Sequence, residues 1–422
     1  MRPLDGIRVL DVTHIIAGPT CTFWLASLGA EVIRVEQPHG DVTWMTRPFV
    51  GPLGESETQQ TPRDIPLSPL RKQRGKRSVQ VDLRTDAGAE VVRLLALQCD
   101  VLVENFAPGV MARHGLGYDA LCATHPRLIY ASISGFGSDG PYRDRAAMDP
   151  VVQALSGLMA KTGFADGPPT RSGTTLGDQV PGIWAALGVL AALRQRDLDG
   201  EGQFVDVAML DALVALLWDE AIDHYEEIGN PPRIGNGDLR GAPFDTYRTS
   251  DGWVAIAAPA THQWKRLQPL LSGAALDARW DDHHERARHR DVMNAFVTTW
   301  SMQFTAAEVC AQLDPIGIPA APVNPPWWAR TDPHIAHRGT LEQLRHPDLA
   351  EPTRWLAPVL PVRFSRADIS TTAAEPIGAS TLWALRDVLG LADTEIHQMH
   401  ADGAFGELAE LDELDDSGEP NR

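Results

Sequence analysis

The stretch IRVLDVTHIIAGPTCTFWLASLGAEVIRVE, residues 7–36, decides the fold. IRVLDVT (7–13) is a short apolar run that reads as a buried strand, GPTCTFWLASLGA follows as a helix, and EVIRVE (31–36) is a second strand. The pattern then repeats. SVQVDL (78–83) precedes the helical AGAEVVRLLALQC, which leads into DVLVENF (100–106); a helix near 118–124 gives way to RLIYASISGF. Alternation of this kind predicts an α/β fold with a parallel sheet covered by helices, in a Rossmann-like arrangement. Ligands of such sheets bind beyond the C-terminal strand ends, so THIIAGP, VENFAPG and SGFGSDGPY fall along one rim. The glycine fingerprint of a dinucleotide site is missing, because HIIAGPT has one glycine where three are needed. No dinucleotide cofactor is expected.

Working outward, the chain has 422 residues, more than the roughly 250–300 at which single cores stop growing, and two domains are expected. Residues 51–70 are polar and proline-rich and read as a mobile loop. Helical stretches follow at 179–196 and 208–228, then the glycine- and proline-rich IGNPPRIGNGDLRGAPF, which reads as a boundary. A smaller α+β unit begins with the strand WVAIAAP (253–259) and runs to GIPAAPVN (317–324). Beyond about 330 come a strand-like LPVRF and a last helix, STLWALRDVLGL, returning to the first domain. The expected division is therefore 1–228 with 330–422 as the large domain and 229–329 as the small one. There is no internal repeat.

Composition narrows the class. Hydrophobic residues at 43% and charged residues at 22% suit a soluble enzyme. The apolar GIWAALGVLAAL (182–193) is shorter than the ~18–20 residues of a membrane span and reads as a core helix. The N-terminal residues show no secretion leader. Cys21, Cys99, Cys122 and Cys310 lack metal-ligand spacing, which predicts reduced thiols in a cytoplasmic protein and no metal. A net charge of −19 argues against nucleic acid and anionic membranes as partners, and part of it lies in the acidic tail ELAELDELDDSGEPNR, which reads as frayed. Against that background RKQRGKR (71–77) carries five basic side chains, either a solvated loop or a site for a small polyanion.

The residues with chemistry centre on SGTTLGDQVPGIWAALGVLAAL (172–193). Asp178 stands at the mouth of a long apolar helix with Pro181 nearby, and taken locally it reads as a helix cap. The wider motif set changes that reading. PLDGIRVLD, AGP, LGAEVIRVE, GKRSVQVDL, DVLVENFAPG, PRLIYASISGFG, TGFADGPPTRSGTTLGD, AALRQRDLDGEGQFVDVAMLDAL, GIPAAPVN and DPH occur in order along nearly the whole chain. Together they resemble the family III CoA-transferases, the CaiB/BaiF family, with motifs most like those of formyl-CoA transferase. The resemblance implies an interlocked homodimer acting on acyl-CoA thioesters and small carboxylic acids, with coenzyme A as part of the substrate. It makes Asp178 the nucleophile, forming an aspartyl anhydride and then an aspartyl-CoA thioester.

Carried over residue by residue, the resemblance puts His14, Ala17, Lys76, Asn105, Phe106 and Arg113 at the CoA site. Lys76 would lie near the phosphates and Arg113 near the adenine nucleotide. Each also has a plainer reading: Phe106 as core, Arg113 as a surface charge, His14 as a strand-end residue. Asp149 matches a family acid close to the nucleophile; it either orients groups there or caps the helix after it. Gly235, Gly237 and Gly241 fit an oxyanion loop or a flexible linker. Ile16 and Met148 replace a glutamine and a tyrosine of formyl-CoA transferase, which implies a pocket for a larger or less polar acyl group. The same scaffold also serves α-methylacyl-CoA racemases, which need a histidine where Met148 stands. A CoA-binding protein without catalysis is the remaining alternative.

Overall fold

The computed structural model describes residues 1–218 and 221–406. The acidic tail lies outside them. The chain forms two compact units. The first comprises Met1–Ser156, Gly173–Asp219 and Pro333–Arg422; the second comprises Gly157–Ser172 and Glu220–Asp332.

The first unit is built on six parallel strands: β1 (Arg8–Asp11), β2 (Glu31–Glu36), β3 (Lys76–Gln80), β4 (Val101–Glu104), β5 (Ile129–Ser134) and β6 (Phe204–Ala208). Their order in the sheet is β3-β2-β1-β4-β5-β6, so the direction of winding reverses between β1 and β4. In doubly wound sheets the crevice at that reversal is where ligands bind. The expected parallel sheet is present, and its inner strands are continuous apolar runs because both faces are covered. On one face Leu10, Ile33, Val79 and Leu102 pack with Val91, Val92 and Leu95 of α3 (Asp86–Ala96), and with Ala384, Leu385, Ile396 and Phe405 from the end of the chain. On the other lie α1 (Ala17–Ser27) and α5 (Leu176–Asp199), with α2 (Leu67–Lys72) against α1.

Residues 51–70 are not a mobile loop. Phe49–Gly51, Gly54–Ser56 and Ile65–Pro66 form a small antiparallel sheet that leads straight into α2. The Asp64 carboxylate organises the turn, accepting the N–H groups of Gln60 and Thr61 at 2.5 and 3.1 Å, while Ile65 and Leu70 are fully buried. The LPVRF segment forms no strand; the strand nearby is Leu356–Pro358, paired with Leu341–Gln343. α5 exceeds its expected bounds at both ends, and α4 (Asp149–Leu155) and α6 (Met209–Leu217) pack beside it. One face of α5 is core, through Pro181, Gly182, Ala185, Val189 and Leu193. Its other face exposes Ile183, Trp184 and Leu187, so it is not apolar core all round.

The second unit has an antiparallel sheet of β7 (Phe244–Arg248), β8 (Trp253–Ala257) and β9 (Ala320–Pro322) packed against helices. Tyr247, Trp264, Trp280 and Val297 fill its core. Arg286 is wholly buried there and donates to the carbonyls of Ala242, Trp280 and Pro259 at 2.7–2.9 Å, tying three loops together.

Candidate active site

The loop after β1 is held from beneath by buried charge. Asp11 accepts the Thr13 and Thr22 hydroxyls, each at 2.6 Å, Arg34 at 2.9 Å and Lys76 at 3.0 Å. Burial alone would raise the Asp11 carboxyl, but Lys76 and Arg34 hold it well below the usual carboxylate range. Lys76 is correspondingly pulled down by burial, to about 8, with Asp11 opposing. Above this cluster Ile15 takes φ +64°, the left-handed region that a β-branched residue avoids, and its N–H donates to Asp41 at 2.6 Å. The backbone of His14 is clamped by Asn105, which accepts its N–H at 2.8 Å and donates to its carbonyl at 2.9 Å. His14 follows β1 and Asn105 follows β4, so this clamp spans the point of reversal. Strain at Ile15 fixed by so many bonds marks a loop shaped for a ligand.

A cavity of about 230 Å³ opens here, lined by Thr13, His14, Arg34, Gln37, Asp41 and Phe106 among others. The His14 and Phe106 rings are 5.0 Å apart. His14 Nδ1 is buried with no hydrogen-bond partner among the described residues, and burial pushes the imidazole pKa down. An orphaned ring nitrogen beside an aromatic face suits a nucleotide or a thioester arm.

The start of α5 lies next to α1. Gly182 faces the Ala17 carbonyl so closely that a Cβ would come within 2.6 Å of it, and Thr20 donates to Gln179 at 3.3 Å. Asp178 occupies the first turn of α5, half-buried, where free N–H groups and the helix dipole favour its ionised form. It is not the cap. The capping bond comes from Asp149, whose Oδ1 accepts the Gly177 N–H at 2.8 Å and Gln153 Nε2 at 2.9 Å. Asp149 is buried in the first turn of α4, so it caps α5 rather than the helix it begins. Gly177 is required: a Cβ there would meet Val152 at 2.7 Å and Asp149 Oδ1 at 2.9 Å. Ile16 and Met148 stand at the N-caps of α1 and α4 and so flank this turn; Met148 is 60% exposed.

The basic run does not form one patch. Lys76 points inward to Asp11, and Arg74 pairs with Glu342 and the Pro358 carbonyl. Arg113 is exposed at the end of the helical turn Val110–Arg113. Sequence reading missed Arg143: its guanidinium and that of Arg113 both reach within 4 Å of the Cβ position of Gly109, at 3.7 and 3.8 Å. Only the doublet of turns around Gly109 and Gly140, both with positive φ, could have signalled that convergence.

Gly235, Gly237 and Gly241 belong to the second unit. There Gly235 donates to the Gly163 carbonyl at 2.9 Å with φ +71°, packed on the Phe164 ring. Gly237 lies against Asp245, and Gly241 against Pro259 and His283. A side cavity of about 140 Å³ borders Gly235 and Gly237. Among the described residues no group of three or more His, Cys, Asp or Glu side chains could hold a metal ion.

Comparison with known proteins agrees with this geometry. The model of CoA-transferase family III matches residues 4–381. The chain is 34% identical over 406 residues to a succinyl-CoA:D-citramalate CoA-transferase of Chloroflexus aurantiacus, covering 95% of this chain and 97% of that one. It is 32% identical to a formyl-CoA:oxalate CoA-transferase of Rhodopseudomonas palustris, covering 96% and 97%. A CaiB/BaiF family protein from Brucella suis superposes with a TM-score of 0.79 at 32% identity, over 92% of this chain and 99% of that one. The chain belongs to CoA-transferase family III and moves coenzyme A between acyl-CoA thioesters and carboxylates.

Proposed function

We propose that Asp178 is the nucleophile of the transfer. The observation that carries this reading is its place in the first turn of α5, beside a helix start whose capping bond comes from a different acid. A carboxylate oxygen of Asp178 attacks the thioester carbonyl; the C–S bond breaks, CoA leaves as thiolate, and a mixed anhydride remains. The thiolate then attacks the aspartyl carbonyl, releasing the donor acid and leaving an aspartyl-CoA thioester. The acceptor carboxylate repeats both exchanges in reverse, so the activated bond is conserved throughout.

In this reading Asp149 is a positioning residue that fixes the backbone at Gly177. His14, Asn105 and Phe106 receive the CoA nucleotide at the crevice between β1 and β4, next to Ala17, with Arg113 near the adenine nucleotide and Arg143 beside it. Lys76 supports the loop through Asp11. Gly237 and Gly241 supply N–H donors to the oxyanions, while the Gly235 N–H is already spent on the Gly163 carbonyl. Ile16 and Met148 bring apolar surface to the acyl group, which favours acids with a carbon chain over formate and oxalate. The assembly is an interlocked homodimer, consistent with the apolar faces that Val151, Leu155, Ile183, Trp184 and Leu187 leave uncovered in one chain. Four free thiols, two of them buried, suit the cytoplasm.

The test is trapping. The protein is mixed with a panel of acyl-CoAs, quenched with hydroxylamine, and the Asp178 peptide weighed. A hydroxamate on Asp178, lost in Asp178→Asn together with roughly 10³-fold or more of the transfer rate, is the expected result. Transfer that survives the substitution, or α-proton exchange without transfer, would overturn the assignment.

A further inference from the structure

Asp41 lines the same cavity as His14 and Phe106. A carboxylate is an unexpected wall for a crevice that receives a phosphorylated nucleotide, since like charges repel. Its surroundings show what it is used for. Gly40 has φ +66°, and a Cβ there would come within 2.4 Å of the Trp44 ring. Trp44 is buried, and its indole donates to Glu36 at 2.9 Å, so the turn that carries Asp41 is fixed. Both carboxylate oxygens are committed. Oδ1 accepts the Thr43 N–H at 2.8 Å and the Thr43 hydroxyl at 2.5 Å, and Oδ2 accepts the Ile15 N–H at 2.6 Å. Arg34 Nη2 stands 4.0 Å from Oδ2 and offsets the charge.

The bond to Ile15 opposes a local strain. Among the described residues Ile15 is the one residue other than glycine with a positive φ, +64°, where its Cβ crowds the backbone. Without a restraint the residue would relax to negative φ, and the peptides on either side, those of His14 and Ile16, would turn with it. Asn105 grips the His14 backbone on one side, and α1 begins at Ala17 on the other. The bond from Asp41 holds the strained residue between them.

We propose that Asp41 is a positioning residue of the coenzyme A site: it holds Ile15 in the left-handed conformation and so keeps the loop from His14 to Ile16 in the form that receives the nucleotide. The inference rests on the reading that places the nucleotide at His14 and Phe106. Titration calorimetry of the full chain with coenzyme A itself tests it by sign. Were Asp41 only a charge facing the ligand, Asp41→Ala would tighten binding. As a positioning residue, its loss should weaken binding roughly 5- to 30-fold, the equilibrium cost of one strained residue. Asp41→Asn keeps an oxygen for the Ile15 N–H and should lose less. Asp41→Ala combined with Ile15→Gly should recover most of the affinity, because glycine takes a positive φ without strain. That recovery does not follow if the loss comes from the Thr43 turn or from general destabilisation. Binding that tightens or holds in Asp41→Ala, or no recovery on adding Ile15→Gly, would overturn the proposal. Phe106→Ala in the same titration separates the ways of failing. Affinity lost there but kept in Asp41→Ala sinks the Asp41 assignment alone, whereas affinity kept in both, or no binding by the unaltered protein, removes the nucleotide from this crevice and the proposal with it.

Discussion

Glu104 closes β4 with its carboxyl buried, accepting the N–H of Phe106, a residue that lines the cavity beside His14, at 2.7 Å. Burial raises its pKa to about 7, with Asp206 adding to the effect and the bonds from Ser132 and Phe106 opposing it. The folded chain therefore keeps this proton up to about pH 7, whereas the unfolded chain releases it near 4.5. Stability falls as pH rises through that window, and the loss is complete above it. Glu104→Gln does not titrate, so its advantage over the unaltered protein should grow between pH 5 and pH 8, by at most about 3 kcal/mol. Urea midpoints at the two pH values measure this; an equal gap at both would show that Glu104 does not titrate there. Residues of one type can differ sharply in such surroundings, and that limits what a sequence discloses. Lys72 and Lys76 are four positions apart in one basic run, yet the turn at Gly75, with φ +75°, sends Lys76 into the sheet. The place of Asp178 at the start of α5 was legible in the sequence, but Asp149 as the cap of α5 was not, because the contact spans 28 residues between Asp149 and Gly177.

Two helices meet in that contact, α4 through the Asp149 side chain and α5 through the Gly177 backbone. Asp149→Ala should cost about 1–2 kcal/mol by leaving a helical N–H unpaired. Gly177→Ala should cost about 1–3 kcal/mol by forcing a methyl against Val152 and Asp149. Since both substitutions break one interaction, the double variant should lose less than the sum; additive losses in thermal unfolding would show that the helices are coupled elsewhere. At this scale the sheet was the most legible part of the molecule. Its strands are apolar runs set off by helical ones, and that periodicity survives without tertiary knowledge. The segment 51–70 misled because its short strands owe their pairing to one carboxylate, Asp64, and to the burial of Ile65, while its composition is that of a loop. LPVRF misled in the opposite direction: its alternation fits a strand, but no neighbouring strand pairs with it.

For the whole molecule, the surface on which the proposed dimer is to be tested is the outer face of α5, where Ile183 and Trp184 each stand one helical turn from Leu187, all three open to solvent. Trp184→Glu combined with Leu187→Glu should lower the mass seen in sedimentation from that of a dimer; an unchanged mass would place the interface on another surface. The apolar content of this helix was legible in the sequence, but the division between core face and outer face was not, because both faces are equally apolar. The core of the first unit carries a further consequence. It is closed by Ala384, Leu385, Ile396 and Phe405, the last described stretch of the chain, packed against Leu10 and Ile33 from its beginning. During synthesis the opening strands therefore emerge from the ribosome long before the residues that cover them, while the core of the second unit, Ala242 to Ile318, is complete earlier. Vectorial folding would thus close the core of the second unit first, while the opening strands of the first unit wait, exposed to chaperones, for residues 384–405.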